Sequence, residues 1–448
     1  MKYEDQNVMD ALNEKFYQLI ASGNSETSYL SIINGGYILS EKELAFLEDY
    51  NKNIDEAYYF GTLVNRIPKT VDNWSPTGSM MPFVYRNDFL ERAKVPIDTL
   101  KPQEEKALKE AEDFLLKNYK DYRYYEKFAQ KAQSDLNDLK RLDPKPSDYM
   151  ARLLKLTQTY EDAVEDWGLL GKKNAFEKQM AIKNGFESKG YPDMKDALKK
   201  KYDLLYQTNQ TTQGANFVPT MCIPGSFYKP DFQWNSYSFT ESETETYQST
   251  SDRNWSAGAR GSYNLFWGSA DASGSEHREY KQIDTSGLKV KFDYIRVALD
   301  RPWFEPYLLT SRSWWWPGAT RENPTGGGPI YSNGNRPPNT DGSWQMIPQD
   351  IIFVKNLEVQ LDITKEINQR VLTELKASAS VGFAFWKLAG ANYSERSDEK
   401  YDFVYTEEGI IKAPQMQMCA FLCDLLPQEP NPDTTLMQEN YKSLKYLF

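Results

Sequence analysis

Two clusters in this chain have the residue types and spacing from which chemistry could be built. Glu241, Glu243 and Glu245 alternate with Ser242, Thr244 and Thr246 inside the stretch from Ser236 to Tyr247. On a strand, period 2 lines the three carboxylates along one face. There they could share a divalent cation or titrate together as an acid sensor; a plain solvated face is the other reading. The second cluster is Trp314-Trp315-Trp316, flanked by Arg312 and Arg321. Indole and guanidinium together suit a lipid headgroup interface, a sugar face or a protein contact. The alternative is that one or two of these rings plug the core and the rest cover it.

Other chemistries lack their residues. The single histidine, His277, stands beside Glu276 and Arg278 on a polar stretch, and no Gly-x-Ser-x-Gly, zincin or Cys-His motif accompanies it. It reads as an exposed strand residue, so no catalytic residue is assigned and no enzyme is expected. Cys222, Cys419 and Cys423 make no disulfide framework. Cys419 and Cys423 are spaced to share a helical face, but a Cys pair with no nearby His is a poor zinc site, and buried thiols are expected instead. Gly326-Gly327-Gly328 lacks the Lys-Ser/Thr ending of a phosphate loop, and the run from Gly168 to Lys172 is too short for one. Neither cofactor nor metal is therefore expected. A formal charge of -11 argues against nucleic acid as a partner, because phosphate neutralisation needs a basic patch.

The first twenty residues lack the apolar core of a signal peptide. Val8, Leu12, Phe16, Leu19 and Ile20 instead share one face of an amphipathic helix. No run approaches the roughly 18 apolar residues that suggest a transmembrane helix. The expectation is cytoplasmic synthesis without a signal peptide, with release by another route if the protein acts outside the cell.

The elements that must position these clusters give an α+β class: an N-terminal helical region with long antiparallel helices, then a C-terminal antiparallel β domain. With 448 residues the chain is long enough for two or three domains. Residues 1–100 read as a small α-rich region, where Ser40 and Glu43 have capping-box spacing. Residues 101–207 read as a long-helix bundle. From Pro102 to about Leu142, apolar residues such as Leu108, Ala111, Leu115 and Leu136 recur at spacings of three and four. Further helices are expected near 147–167, 173–185 and 193–207. Residues 208–215 read as a linker, and 216–448 as the β domain, with a long Trp-rich loop at 311–348. Leu288 to Tyr294 and Leu357 to Ile363 alternate as half-buried strands, and Met416 to Leu426 reads as a core strand. Between Thr364 and Lys376 the pattern suits a helix at least as well as a strand.

Within the β domain two stretches are alike. A shift of 119 positions sets Phe266-Trp267 on Phe385-Trp386, and also aligns Ala270 with Ala389 and Ser275-Glu276 with Ser394-Glu395. Each surrounds a short apolar knot with small and polar residues. They read as two related hairpin units, with Leu265, Phe266 and Trp267 at one tip and Phe383, Phe385 and Trp386 at the other.

Trp74-Ser75-Pro76-Thr77-Gly78, the long helices, the run Asp300-Arg301-Pro302-Trp303-Phe304 and the run from Ala413 to Met418 together resemble a widespread family of uncharacterised bacterial and fungal proteins, over most of the chain. The two Ser/Thr/Gly-rich segments beside half-buried strands are also similar in pattern to β-hairpin pore-forming proteins. These include the membrane-attack-complex/perforin type, which carries two convertible segments per subunit; its Tyr/Trp-Gly-Thr/Ser-His signature is absent here. That second resemblance implies a toxin-like protein that oligomerises and inserts β-hairpins into a lipid membrane. The alternatives are a non-enzymatic structural or assembly protein that forms homo-oligomers, and a carbohydrate-binding module whose Trp loop takes a glycan.

Overall fold

The computed structural model describes residues 28–69, 76–96, 102–141, 148–186, 191–209, 215–240, 265–270, 278–281, 283–284, 287–336, 339–391, 400–406 and 408–437. Helices and antiparallel sheets are both present, a mixed α+β chain. The described residues divide into two compact units. The first draws on Met1–Glu91, Lys199–Thr310 and Pro329–Pro430, the second on Arg92–Leu198, Ser311–Gly328 and Asn431–Phe448.

The strands of the two main sheets are, in chain order, β1 (Ser28–Ile38), β2 (Met221–Ile223), β3 (Asn235–Thr240), β4 (Phe266–Ser269), β5 (Glu279–Lys281), β6 (Lys289–Asp300) and β7 (Met346–Gln360). They continue with β8 (Ser380–Phe383), β9 (Trp386–Ala391), β10 (Lys400–Tyr401), β11 (Val404–Tyr405), β12 (Ile410–Ala413) and β13 (Gln417–Leu425). The principal helices are α1 (Ile54–Val64), α2 (Pro102–Arg141), α3 (Tyr149–Leu169), α4 (Lys173–Phe186), α5 (Tyr191–Leu205) and α6 (Glu366–Leu375).

In the first unit an eight-stranded sheet runs β1-β13-β7-β6-β2, with β3 also on β6, β12 on β7, and β11 on β12. The central strand β7 serves two partners along one edge. Met346–Val354 pairs with β13 and Leu357–Gln360 with β12, and Asn356, at φ 53°, bends the strand between them. Both faces are covered, so the inner strands are apolar on both sides. Ile352 and Val354 enter one core with Phe292 and Trp386; Ile351 and Phe353 enter the other with Phe46, Phe60 and Phe227. The first core lies against a five-stranded sheet of order β10-β9-β8-β4-β5.

This organisation differs from the three-part order expected of the sequence. Ser28–Ile38 is a long strand on β13 rather than part of an α-rich region. Its Leu30, Ser31, Ile32 and Ile33 are all buried, so no period-2 signal marks it. The Trp-rich loop is also divided, its residues 311–328 belonging to the second unit and the rest to the first. The stretch left open between helix and strand is helix α6, whose Val371, Leu372 and Leu375 are buried. Near Ser40 the capping residues do meet, since the Ser40 backbone N–H donates to Glu43 Oε2 at 2.8 Å, although the helix that follows is a 3₁₀ turn.

In the second unit α2 follows the range its apolar periodicity marks, and at 40 residues it is about 60 Å long. Small residues let α3 approach it: Ala129 and Ala132 face Ala163, with Tyr160, Val164 and Trp167 around them. Tyr122 stacks on Phe176 of α4 at 4.0 Å and 11°. The α3–α4 corner turns on Lys172, at φ 52°, whose Nζ donates to Asn118 Oδ1 at 2.6 Å. Among the described residues no helix is long and apolar enough to cross a membrane.

Candidate functional site: the tryptophan loop and the small sheet

The Trp loop is built as a plug. Trp314 and Trp316 are both 0% exposed and meet edge to face at 5.1 Å. Only Trp315 is half-buried, and its backbone is fixed by two hydrogen bonds with Lys94, at 2.7 and 3.0 Å. The Arg92 guanidinium lies over the Trp316 ring at 5.4 Å. On another side Gly328 approaches that indole so closely that an added Cβ would lie 2.3 Å from it. That contact, rather than a phosphate loop, accounts for a glycine at this end of the triple run. Arg321 donates through Nε and Nη2 to the Met437 carbonyl, at 3.1 and 3.0 Å, and exposed Arg312 donates to the Asn431 carbonyl at 3.3 Å. Two of the three expected contact rings are thus withdrawn from the surface. A Trp-Trp pair of this size is driven inward by its apolar area when packing partners are available.

The small sheet brings the two similar stretches into direct contact. Phe266 pairs with Phe383 and Trp267 with Gly382, and the two phenylalanine rings lie 4.9 Å apart. Phe383 and Trp386 flank a two-residue turn at Ala384-Phe385, where Ala384 has φ 50°. The second expected tip is therefore a turn, but an enclosed one, because Phe383, Phe385 and Trp386 are all buried. Leu265, Phe266 and Trp267 are no tip. Leu265 precedes strand β4 and the other two open it; β4 runs antiparallel to both β8 and β5, and all three residues are 0% exposed. Trp267 Nε1 donates to the Ala384 carbonyl at 3.1 Å, and the Ala384 N–H donates to the Leu265 carbonyl at 2.6 Å.

Side-chain amides join this sheet to the large one. Gln417, 0% exposed on β13, acts as a surrogate strand: its Oε1 accepts from the Lys387 N–H at 2.9 Å, and its Nε2 donates to the Lys387 carbonyl at 3.1 Å. Gln415 Nε2 donates to the Leu388 carbonyl at 2.7 Å. A bulge in β1 makes room for these contacts. Gly35 N–H donates to the Phe385 carbonyl at 2.9 Å, and a Cβ on Gly36 would lie 2.3 Å from Gln417 Oε1. Arg278 adds a cation–π contact with Trp267 at 4.4 Å and donates to the Asn34 carbonyl. Asn368 ties α6 to residue 284 in the same manner, accepting from its N–H at 2.9 Å and donating to its carbonyl at 3.1 Å. Sequence reasoning missed this set. The available signal was a glutamine inside the apolar run from Met416 to Leu422.

The acidic ladder Glu241, Glu243 and Glu245 lies outside the described residues, as does His277. Among the described residues no group of three or more His, Cys, Asp or Glu could hold a metal ion. Cys419 and Cys423 lie on strand β13, not a helix, and enter opposite cores, so they cannot act together. Burial pushes the thiols of Cys222, Cys419 and Cys423 up. Arg301 is a structural centre. Its buried guanidinium donates to Asn65 Oδ1 at 2.7 Å, to the Val64 carbonyl at 3.0 Å and to the Pro348 carbonyl. Burial lowers its pKa to about 10, which leaves it charged at neutral pH. No protein-family model matches the chain, and neither the curated proteins nor the solved structures contain a significant match to it.

Proposed function

We propose that this protein is membrane-active and works in the manner of a pore-forming toxin, with the two similar stretches as related hairpin units that part from the large sheet, as the small sheet, after subunits assemble. The observation that carries this reading is the way the small sheet is held. It faces the large sheet through side-chain packing, side-chain amides and the Gly35–Phe385 bond, whereas each sheet has its own strand ladder. Such a panel can part from its neighbour without breaking the ladder of either sheet. A membrane-spanning hairpin must first be water-soluble, which favours small, alternating residues of the kind that follow Trp267 and Trp386. About 9–11 residues per strand then cross a bilayer. Of the Trp loop, only Trp315 has a half-exposed ring to offer a lipid surface.

The assembly reading has an observation of its own. On α3, Met150 and Leu154 are 72% and 75% exposed, as an interface between copies would require. The two readings part on lipid. Dye release from liposomes, with particle size followed in parallel, is expected to show leakage together with a lipid-dependent oligomer. Oligomers that form equally without lipid and release no dye would end the membrane reading and leave the assembly one.

A further inference from the structure

In the first unit, the C-terminal end of α6 and the residues just before and within β11 enclose an open groove of about 460 Å³. Its floor is the cross-strand pair Val381 and Ala389, both buried and apolar. Leu375 and Lys376 form one wall, and Asp402, Phe403 and Tyr405 the other. That volume lies within the ~300–1,000 Å³ of small-ligand sites.

Two features suit the groove to a cation. Asp402 adds an exposed carboxylate at the rim. Phe403 and Tyr405 line the groove, and an aromatic face attracts cations. The chain's own Lys376 demonstrates the preference, its ammonium lying 5.1 Å from the centroid of the Tyr405 ring. Lys376 is exposed, so its ammonium can be displaced from the ring.

We propose that this groove binds a zwitterion of the phosphocholine type: a quaternary ammonium joined to a phosphate. The trimethylammonium takes the Tyr405 face and rests its methyl groups on Val381 and Ala389. A quaternary ammonium gives up hydration more readily than a lysine ammonium, so the exchange is favourable on an aromatic wall. Lys376, released from the ring, then meets the ligand phosphate, and Asp402 balances the bound cation. The proposal deepens the membrane reading by naming a lipid headgroup, and rests on that reading for the ligand's source; the same chemistry on a free metabolite would bind in the same way.

The test is calorimetric titration of the full chain with phosphocholine, choline and inorganic phosphate, followed by flotation with phosphatidylcholine and phosphatidylglycerol vesicles. The expected order of affinity is phosphocholine, then choline, then phosphate. Tyr405→Leu should weaken phosphocholine at least tenfold, while Tyr405→Phe, which keeps the ring, should bind as the parent does. Lys376→Ala should bind choline more tightly and lose the advantage of phosphocholine over choline. Phosphate binding as well as phosphocholine, indifference to both Tyr405→Leu and Lys376→Ala, or no binding of phosphocholine or choline at millimolar concentration would each overturn the assignment. Binding of soluble phosphocholine without flotation on phosphatidylcholine would support the groove and overturn the lipid as its source. Dye release without phosphocholine binding would leave the membrane reading standing and remove the groove.

Discussion

Strand β7 of the first unit and helix α3 of the second make opposite uses of their side chains. From Ile351 to Val354 every residue of β7 is 0% exposed, because each face of its sheet has a layer over it. Across the 21 residues of α3 the buried residue is Ala163. One element is held by what it buries, the other by a narrow contact and its own helical hydrogen bonds. Substitutions will therefore be felt in the strand, and a partner has room to bind on the helix. A strand covered on both faces has no side-chain surface left for recognition. A long helix with one narrow contact keeps most of its surface available.

The largest loss should come from removing a ring from the core between the sheets. Trp386 touches Phe292 of the large sheet at 5.1 Å and Phe385 at 4.2 Å. Trp386→Ala should cost about 3–5 kcal/mol, read from the urea midpoint; a loss below about 1 kcal/mol would mean the small sheet lies outside the cooperative core. Gln417→Leu comes next, since it strips the Lys387 N–H and carbonyl of their amide partners. The expected loss is about 1–3 kcal/mol, with faster amide exchange concentrated in β8 and β9. Exchange that rises equally in β7 would show that Gln417 supports the whole unit rather than the junction. The smallest effect belongs to the second unit. Met150→Ser with Leu154→Ser should change monomer stability by no more than about 0.5 kcal/mol per site. A loss of several kcal/mol in dilute solution would show that this helix face is covered after all.

The helices were legible because their signal is local. Apolar spacing of three and four marked Pro102–Arg141, and the helix expected near 147–167 runs from Tyr149 to Leu169. The strand at Gln417–Leu425 was legible from its length and apolar run. Strand β1 was not, because burial on both faces removes alternation and a Gly-Gly bulge interrupts the rest. At the candidate sites the residue types were legible and their exposure was not. Three consecutive tryptophans look alike on paper, but Lys94 fixes the backbone of the middle one while Trp314 and Trp316 turn inward. The similarity of the stretches around Trp267 and Trp386 was visible as a shift of 119 positions. Their mutual pairing was not, because the pairing depends on a register that sequence spacing leaves free.

The periods are a property of the sequence: where the chain repeats every 3.6 residues, where it runs apolar, and where small residues surround aromatic knots. These follow from side-chain type and order alone, so no distant contact is needed to read them. Which apolar residues are inside, which strands are neighbours and which polar groups join them depend on the closed fold. Gln417 reaches Lys387 across 30 residues, Arg301 reaches Asn65 across 236, and Lys376 meets Tyr405 from a different element. Contacts of that range depend on where the whole backbone closes, and local propensity carries no information about that closure.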